Sequence, residues 1–103
     1  MVELKELQKS VYQNKVDKGF NTTDICMEFC LTHGELTEAF DAWRKKRDDV
    51  GEELADVAIY LLGLSEILNI DLESEILRKM EINKNRVKVE KNRVKIKAET
   101  QGK

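Results

Sequence analysis

Glu52-Glu-Leu-Ala-Asp-Val-Ala-Ile-Tyr-Leu-Leu-Gly-Leu64 is almost wholly apolar after its opening acids. A helix that is hydrophobic nearly all round is a buried one. Glu53 and Asp56, three apart, fall on the same side of such a helix, about 60° from each other. An ionised acid is rarely buried unless it is paired or holds a metal. Both therefore read as inward-facing groups kept for chemistry. Glu52 and Glu53 also suit a helix N-terminus, where the dipole favours acids, but that does not account for Asp56 a turn further in. A second pair with the same spacing, Glu35-Leu-Thr-Glu38, lies upstream.

The rest of the chain organises around this helix. With 103 residues it is one domain with little core to spare. It has no proline, few aromatics and many Glu, Lys, Leu and Ile residues, which favours an all-α protein. A first helix spans about Val2 to Val16, with Leu4, Leu7 and Val11 at helical spacing. Gly19 and Asn21 suit a turn, and Thr22 or Thr23 can cap a second helix from about Asp24 to Lys46. Phe29, Leu36, Ala39, Phe40 and Trp43 make its core stripe. After the break Asp48-Asp-Val-Gly51, the third helix runs from about Glu52 to Leu68. Asp71 is a good N-cap for a fourth, to about Arg86, with Leu72, Ile76, Met80 and Asn83 as its inner stripe.

Four helices with short joints predict an antiparallel four-helix bundle-like subunit. The third helix is apolar on more faces than one small bundle covers. A homodimer or homotetramer that completes the core is therefore expected.

The domain is expected to occupy residues 1–86, followed by a basic tail over 87–103. The tail repeats itself: Lys84-Asn-Arg-Val-Lys-Val89 is echoed by Lys91-Asn-Arg-Val-Lys-Ile96. Its valines alternate with charges at the period of a strand, so a short hairpin competes with an extended arm. From Arg78 to Lys97 nine Lys/Arg face two Glu, a local charge of +7 that leaves −9 on the remainder of a chain of net charge −2. No apolar h-region opens the chain and no apolar run reaches the ~18 residues that span a bilayer. The expectation is a cytoplasmic protein with no membrane association. Cys26 and Cys30, four apart in one helix, are badly aimed for mutual bonding.

Hard cations such as Mg²⁺ or Mn²⁺ prefer carboxylate oxygens, and Mg²⁺ is usually shared between a few acids and substrate phosphates. Two helices that each offer an acid pair place several oxygens around one or two ions. Lys79, Asn83 and Arg86 fall along one stripe of the fourth helix, and their side chains suit phosphate oxygens. Metal plus phosphate clamp suggests attack of water on a phosphoanhydride, with an acid as base or water-positioner. The plainer reading is that acid pairs are common on solvated helix faces and cations at helix C-termini.

Three stretches in order carry a resemblance: His33-Gly-Glu-Leu-Thr-Glu-Ala-Phe-Asp-Ala-Trp-Arg44, Glu53-Leu-Ala-Asp-Val-Ala-Ile-Tyr60, and Ile70-Asp-Leu-Glu73 followed by Lys79-Met-Glu-Ile-Asn-Lys-Asn-Arg86. Over roughly residues 4–86 the chain resembles the MazG-like, all-α nucleoside triphosphate pyrophosphohydrolases. The resemblance implies a helical fold that dimerises or assembles further. It implies Mg²⁺-dependent cleavage between the α and β phosphates to a monophosphate and pyrophosphate. On this reading Glu35, Glu38, Glu53 and Asp56 hold metal, Glu38 and Glu53 orient water, and Lys79, Asn83 and Arg86 hold phosphates.

One departure bears on the site. The family pattern is Glu-x-x-Glu followed by Glu-x-x-Asp, and its second Glu often lies in a Gly-Glu-Leu context. Aligned on Gly34-Glu35-Leu36, the first Glu falls on Thr32, which supplies no anionic ligand. Aligned on spacing, the pair is Glu35/Glu38. Glu35 borders the apolar stripe and Glu38 lies about 60° further from its centre. Glu35, Glu53 and Asp56 are thus the firmer ligands and Glu38 the weaker one. Glu28 is disfavoured as a substitute, being about 10.5 Å along the axis from Glu35. Reduced activity is one consequence.

Other candidates compete. Cys26, Cys30 and His33 share a face and could ligate Zn²⁺ with a fourth ligand from elsewhere, but small packing residues are the preferred account. Trp43 is a candidate platform for a base, against a role in the core or a subunit interface. The basic tail lacks interleaved aromatics, so nucleic acid is disfavoured as a partner. The reading is an Mg²⁺-dependent pyrophosphohydrolase that clears unwanted (deoxy)nucleoside triphosphates. Its alternative is a non-catalytic or weakly active helical dimer that binds nucleotide or a partner protein.

Overall fold

The computed structural model describes the backbone of residues 3–101 and the side chains of residues 3–86. Four helices account for it: α1 (Leu4–Asp17), α2 (Ile25–Arg44), α3 (Val50–Ile67) and α4 (Leu72–Gln101). No strand occurs among the described residues, and the fold is all-α. Residues 1–72 form one compact unit, in which α3 packs against both α1 and α2. Residues 73–103, nearly all of α4, form the second.

The helix ends follow from local chemistry. Asp24 caps α2: its carboxylate accepts from Met27 N at 3.0 Å, while its own N–H donates to Asn21 Oδ1 at 3.0 Å. The cap is thus Asp24 and not Thr22 or Thr23, because the Asn21 turn sets the Asp24 backbone extended and aims its carboxylate at the first turn. The first three helices share one ending. Gly19, Lys46 and Asn69 adopt left-handed backbone angles (φ 69°, 57° and 58°). In each case the next residue donates back across the last turn: Phe20 to Lys15 O, Arg47 to Ala42 O, Ile70 to Ser65 O, at 2.8–2.9 Å. These paired bonds satisfy carbonyls that a helix end otherwise leaves open.

The core is thin and its faces are not those expected. On α2 the packed line is 28, 32, 35, 39 and 42, at alternating steps of four and three. Of the expected stripe only Ala39 is buried; Phe29, Leu36, Phe40 and Trp43 are exposed, Trp43 at 66%. The small side chains of Ala39 and Ala42 allow close approach to α3, which turns the bulky stripe outward. On α1 the line is 4, 8, 11 and 15, so Gln8 and Lys15 are buried and Leu7 is exposed. On α3 the burial concentrates at residues 62–65, while Leu54, Ile59 and Leu61 are exposed, so this helix is not enclosed on all sides. Ile76, Met80 and Asn83 of α4 are exposed as well, against their expected inner stripe.

The tail differs too. Residues 87–101 continue α4 as helix in place of a hairpin or an extended arm. The stretch is rich in Lys, Glu and Arg with no Gly or Pro before Gly102, so helix propensity outweighs the short Val-Lys-Val alternations. Side chains from 87 onward lie outside the described residues.

Polar groups tie the packed unit together. Lys15 Nζ meets Glu28 Oε1 at 2.5 Å, and Glu28 is only 1% exposed. The other Glu28 oxygen accepts from Asn21 Nδ2 at 3.0 Å. A Cβ at Gly63 would meet Lys15 Cδ at 3.1 Å, so glycine makes room for the lysine stem between α1 and α3. Buried Gln8 donates to Glu66 Oε1 at 2.9 Å and Ile70 O at 2.7 Å, and accepts from Leu72 N at 3.3 Å, which holds the α3–α4 turn. Removing one partner of a buried ion pair strands the other charge and costs about 3–5 kcal/mol. Lys15→Met and Glu28→Leu should each lose about that much in urea unfolding. The double substitution should recover most of it, since both buried charges are then gone.

Candidate functional site

The packing of α2 on α3 decides which acids meet. Glu35, Glu38 and Glu53 each offer a carboxylate oxygen, and the three oxygens lie within 4.8 Å of one another. Glu35 and Glu53 are half-buried and Glu38 is exposed. Asp56 is exposed and stands outside this trio, although its charge reaches it. Two expectations about position are corrected. Asp56 does not face inward, because its flank of α3 is left open. Glu38, ranked below the others, sits with Glu35 and Glu53, because the packed line of α2 runs through Glu35 and brings the following turn against α3.

The electrostatics are those of crowded like charges. Burial holds the Glu35 carboxyl above its ordinary 4.5, followed by the charges of Glu38 and Asp56, a carboxyl–carboxyl hydrogen bond with Glu38, and the charge of Glu53. Glu53 is raised in the same way by burial and by Glu38, Asp49 and Asp56, with Arg47 opposing. Glu35 Oε2 and Glu53 Oε2 are buried and accept no hydrogen bond among the described residues. A buried acceptor left unpaired costs about 1–3 kcal/mol, so native structures keep few. Hard oxygen donors, unpartnered and converging, fit a divalent cation of the Mg²⁺ or Mn²⁺ type.

Neighbouring residues are already committed. Thr32 Oγ1 donates to Glu28 O at 2.7 Å, so its hydroxyl serves the backbone. Glu28 is held by Lys15 and Asn21 and is not available to a metal. Sequence reasoning missed Arg47, which pairs with Asp49 and lies 3.8 Å from Glu53 Oε1. The only hint was an arginine two residues before an acid in the α2–α3 turn. It also underused Tyr60, seven residues after Glu53 and hence on the same side of α3. The Tyr60 phenol is pushed up by burial and by the charges of Glu35, Glu28, Asp56 and Glu38. Lys15 Nζ lies 5.6 Å from the Tyr60 ring centroid, so the ring also meets the buried ion pair.

The remaining candidates are placed as follows. Lys79, Asn83 and Arg86 are exposed along α4, within the second unit. Trp43 packs on Phe40 with ring centroids 6.1 Å apart, and Arg44 lies over the Phe40 ring. Cys26 and Cys30 are free and exposed, and with His33 they form no ligand group among the described residues.

Residues 28–100 match the MazG-like family. dCTP pyrophosphatase 1 of Rattus norvegicus is 37% identical over 67 residues, covering 54% of this chain and 39% of that protein. The protein of the same name from Mus musculus gives the same identity and coverage. The chain therefore spans about two-fifths of the length of the curated relatives it matches. No solved structure gives a significant match. The family match takes in the three clustered acids, Asp56 and most of the helical chain, and the chain belongs to the MazG-like family.

Proposed function

We propose that the protein is a divalent-metal-dependent nucleoside triphosphate pyrophosphohydrolase, releasing pyrophosphate and a nucleoside monophosphate. The observation that carries this reading is the convergence of Glu35, Glu38 and Glu53 with two buried oxygens unpartnered. The likeness to dCTP pyrophosphatase 1 supports the same class of reaction. Glu35, Glu38 and Glu53 would hold the ion, with Asp56 adding charge from the open flank. A bound Mg²⁺ supplies a Lewis acid that offsets phosphate charge and makes water a better nucleophile. Glu38, the exposed member of the trio, would accept a proton from water, and Glu53 would orient it. Lys79, Asn83 and Arg86 are assigned to phosphate oxygens on the chemistry and spacing of their side chains along α4.

The exposed stripe of Phe29, Leu36, Phe40 and Trp43 belongs to this proposal as a face between subunits. So many large apolar side chains on one helix face mark an association surface. On this account Trp43 lies at a subunit contact, with a base platform as the competing role. Phe40→Asp should shift the protein to monomer in light scattering; an unchanged mass would remove this part of the proposal.

Turnover is tested directly by assaying pyrophosphate over a panel of canonical and modified triphosphates with Mg²⁺. Glu53→Gln should lower release by about 100-fold or more, since even residues that only support metal ligands cost 10–100-fold. Binding of triphosphate without turnover across the panel would favour a non-catalytic nucleotide-binding protein.

The raised carboxyl pKa values give an independent check. The folded state binds protons more tightly than the unfolded chain at Glu35 and Glu53, so stability falls as pH rises above 4.5 through the folded values. Metal-free protein should therefore melt higher slightly above pH 4.5 than at neutral pH. Glu35→Gln should raise the neutral melting temperature of the metal-free form. Added Mg²⁺ should stabilise the parent protein more than this variant.

A further inference from the structure

Arg47 stands in the α2–α3 turn, outside the set of acids assigned to the ion, yet the fold fixes it at both ends. Lys46 takes a left-handed backbone (φ 57°) and the Arg47 N–H donates to Ala42 O at 2.9 Å, which sets where the side chain starts. Asp49, the N-cap residue of α3, grips the guanidinium. Arg47 Nε donates to Asp49 Oδ1 at 3.0 Å, and Nη2 donates to Asp49 Oδ2. An aspartate at an N-cap ordinarily accepts from an amide of the first helical turn. Asp49 makes no such bond, and its carboxylate serves the arginine instead. Held in this way, Arg47 Nη2 lies 3.8 Å from Glu53 Oε1.

We propose that Arg47 is the internal counter-ion of the carboxylate cluster. It offsets the charge of Glu53 while no metal is bound, and so weakens the site's hold on a free divalent ion. The proposal rests on the metal-site reading above and extends it to a residue that sets the affinity.

Three observations separate this role from that of an ordinary surface pair, which is worth little. First, the carboxylate that Arg47 faces is mostly enclosed, at 18% exposure, and its Oε2 is buried without a hydrogen bond. A partly buried pair is screened less than an exposed one. Second, 3.8 Å is longer than an N–H···O hydrogen bond, about 2.7–3.2 Å. The arginine therefore acts on Glu53 by charge and leaves its oxygens open to another ligand. Third, no other ion pair reaches Glu35, Glu38 or Glu53 among the described residues. A divalent ion drawn to these acids meets a positive charge held beside one of them, and like charges so close oppose its binding.

Asp49 allows charge to be told from architecture. Its negative charge also reaches Glu53, so the two members of the Arg47–Asp49 pair act on a bound cation with opposite sign. If the pair did no more than tie the turn, removing either member would loosen the same contact and move metal affinity the same way.

The test uses the full chain and Mn²⁺ alone, with the free ion followed by electron paramagnetic resonance, so that turnover plays no part. Arg47→Met should tighten Mn²⁺ about 5-fold at low salt. Because the guanidinium is about half exposed, that gain should shrink as salt is raised. Arg47→Lys keeps the charge and loses the fork, and should stay within about 2-fold of the parent. Asp49→Asn should weaken Mn²⁺. An unchanged or weakened affinity in Arg47→Met would overturn the proposal. So would Arg47→Met and Asp49→Asn shifting affinity in the same direction, or Arg47→Lys tightening it as much as Arg47→Met. If any of these occurs while the parent protein binds Mn²⁺, the counter-ion role fails alone and the metal site stands. A parent protein that takes up no Mn²⁺ at millimolar concentration would overturn the metal-site reading and this proposal with it.

Discussion

The buried pair between Lys15 and Glu28 is the constraint on which the packed unit depends. One carboxylate joins three segments: it takes the lysine of α1 at 2.5 Å, the Asn21 amide of the connecting turn at 3.0 Å, and sits itself on α2. Asn21 in turn donates to Asp24 O, so the turn cannot move without loosening the α2 cap. The lysine stem crosses Gly63, and its ammonium faces the Tyr60 ring, which brings α3 into the same arrangement. Desolvating two charges is expensive, and an apolar pair of similar volume often serves stability as well. What the ion pair adds is register. Glu35 lies seven residues beyond Glu28 on one line of α2, so the fixed carboxylate sets the rotation at which the site's acids face α3.

The acids pull the other way. Glu35 and Glu53 are brought together with Glu38 although burial and mutual repulsion oppose their ionisation. The apolar core that must absorb this is small, with Ala39, Ala42, Leu62 and Leu64 its buried hydrophobic members among the described residues. A thin core beside a repulsive cluster is a fold whose stability is tied to what it binds, because a ligand of the folded state alone adds stability by mass action. On the proposed reading, a cation at the cluster and a second subunit over the α2 stripe would act in one direction.

Helix boundaries were legible in the sequence because they are set by local chemistry. Gly19 and Asn69 mark left-handed endings, and the expected ends near 16, 46 and 68 fall within two residues of those found at Asp17, Arg44 and Ile67. Helix faces were less legible, because rotation about an axis is settled by packing. The eye puts Phe40 and Trp43 inside, yet close approach of two helices favours small residues, and Ala39 and Ala42 took that place. The same rotation sets Glu38 beside Glu35 and Glu53 and leaves Asp56 exposed. The tail was misread for a related reason. Val87/Val89 and Val94/Ile96 carry a strand's period over only three residues at a time, too short to outweigh the helix-forming lysines and glutamates around them. Arg47 could not be placed without knowing how the α2–α3 turn closes.

The position of Thr32 then takes on a different meaning. Read along the family motif, it is a missing ligand. In three dimensions it lies on the packed line of α2 between Glu28 and Glu35, its hydroxyl turned back to the Glu28 carbonyl at 2.7 Å. A fourth carboxylate there would stand one turn from the buried Glu28 and one turn from an already raised Glu35. It would add charge at a half-buried position beside two other carboxylates. The proposed site avoids that cost by drawing its third oxygen from Glu38, on the exposed side of the cluster. Mg²⁺ sheds water reluctantly and usually takes only a few protein oxygens, the others coming from water and substrate phosphate. Three carboxylates open to solvent on one side leave those positions free. On the proposed reading, the substitution at 32 relocates a ligand to the wetter face of α2 and leaves the chemistry of the site in place.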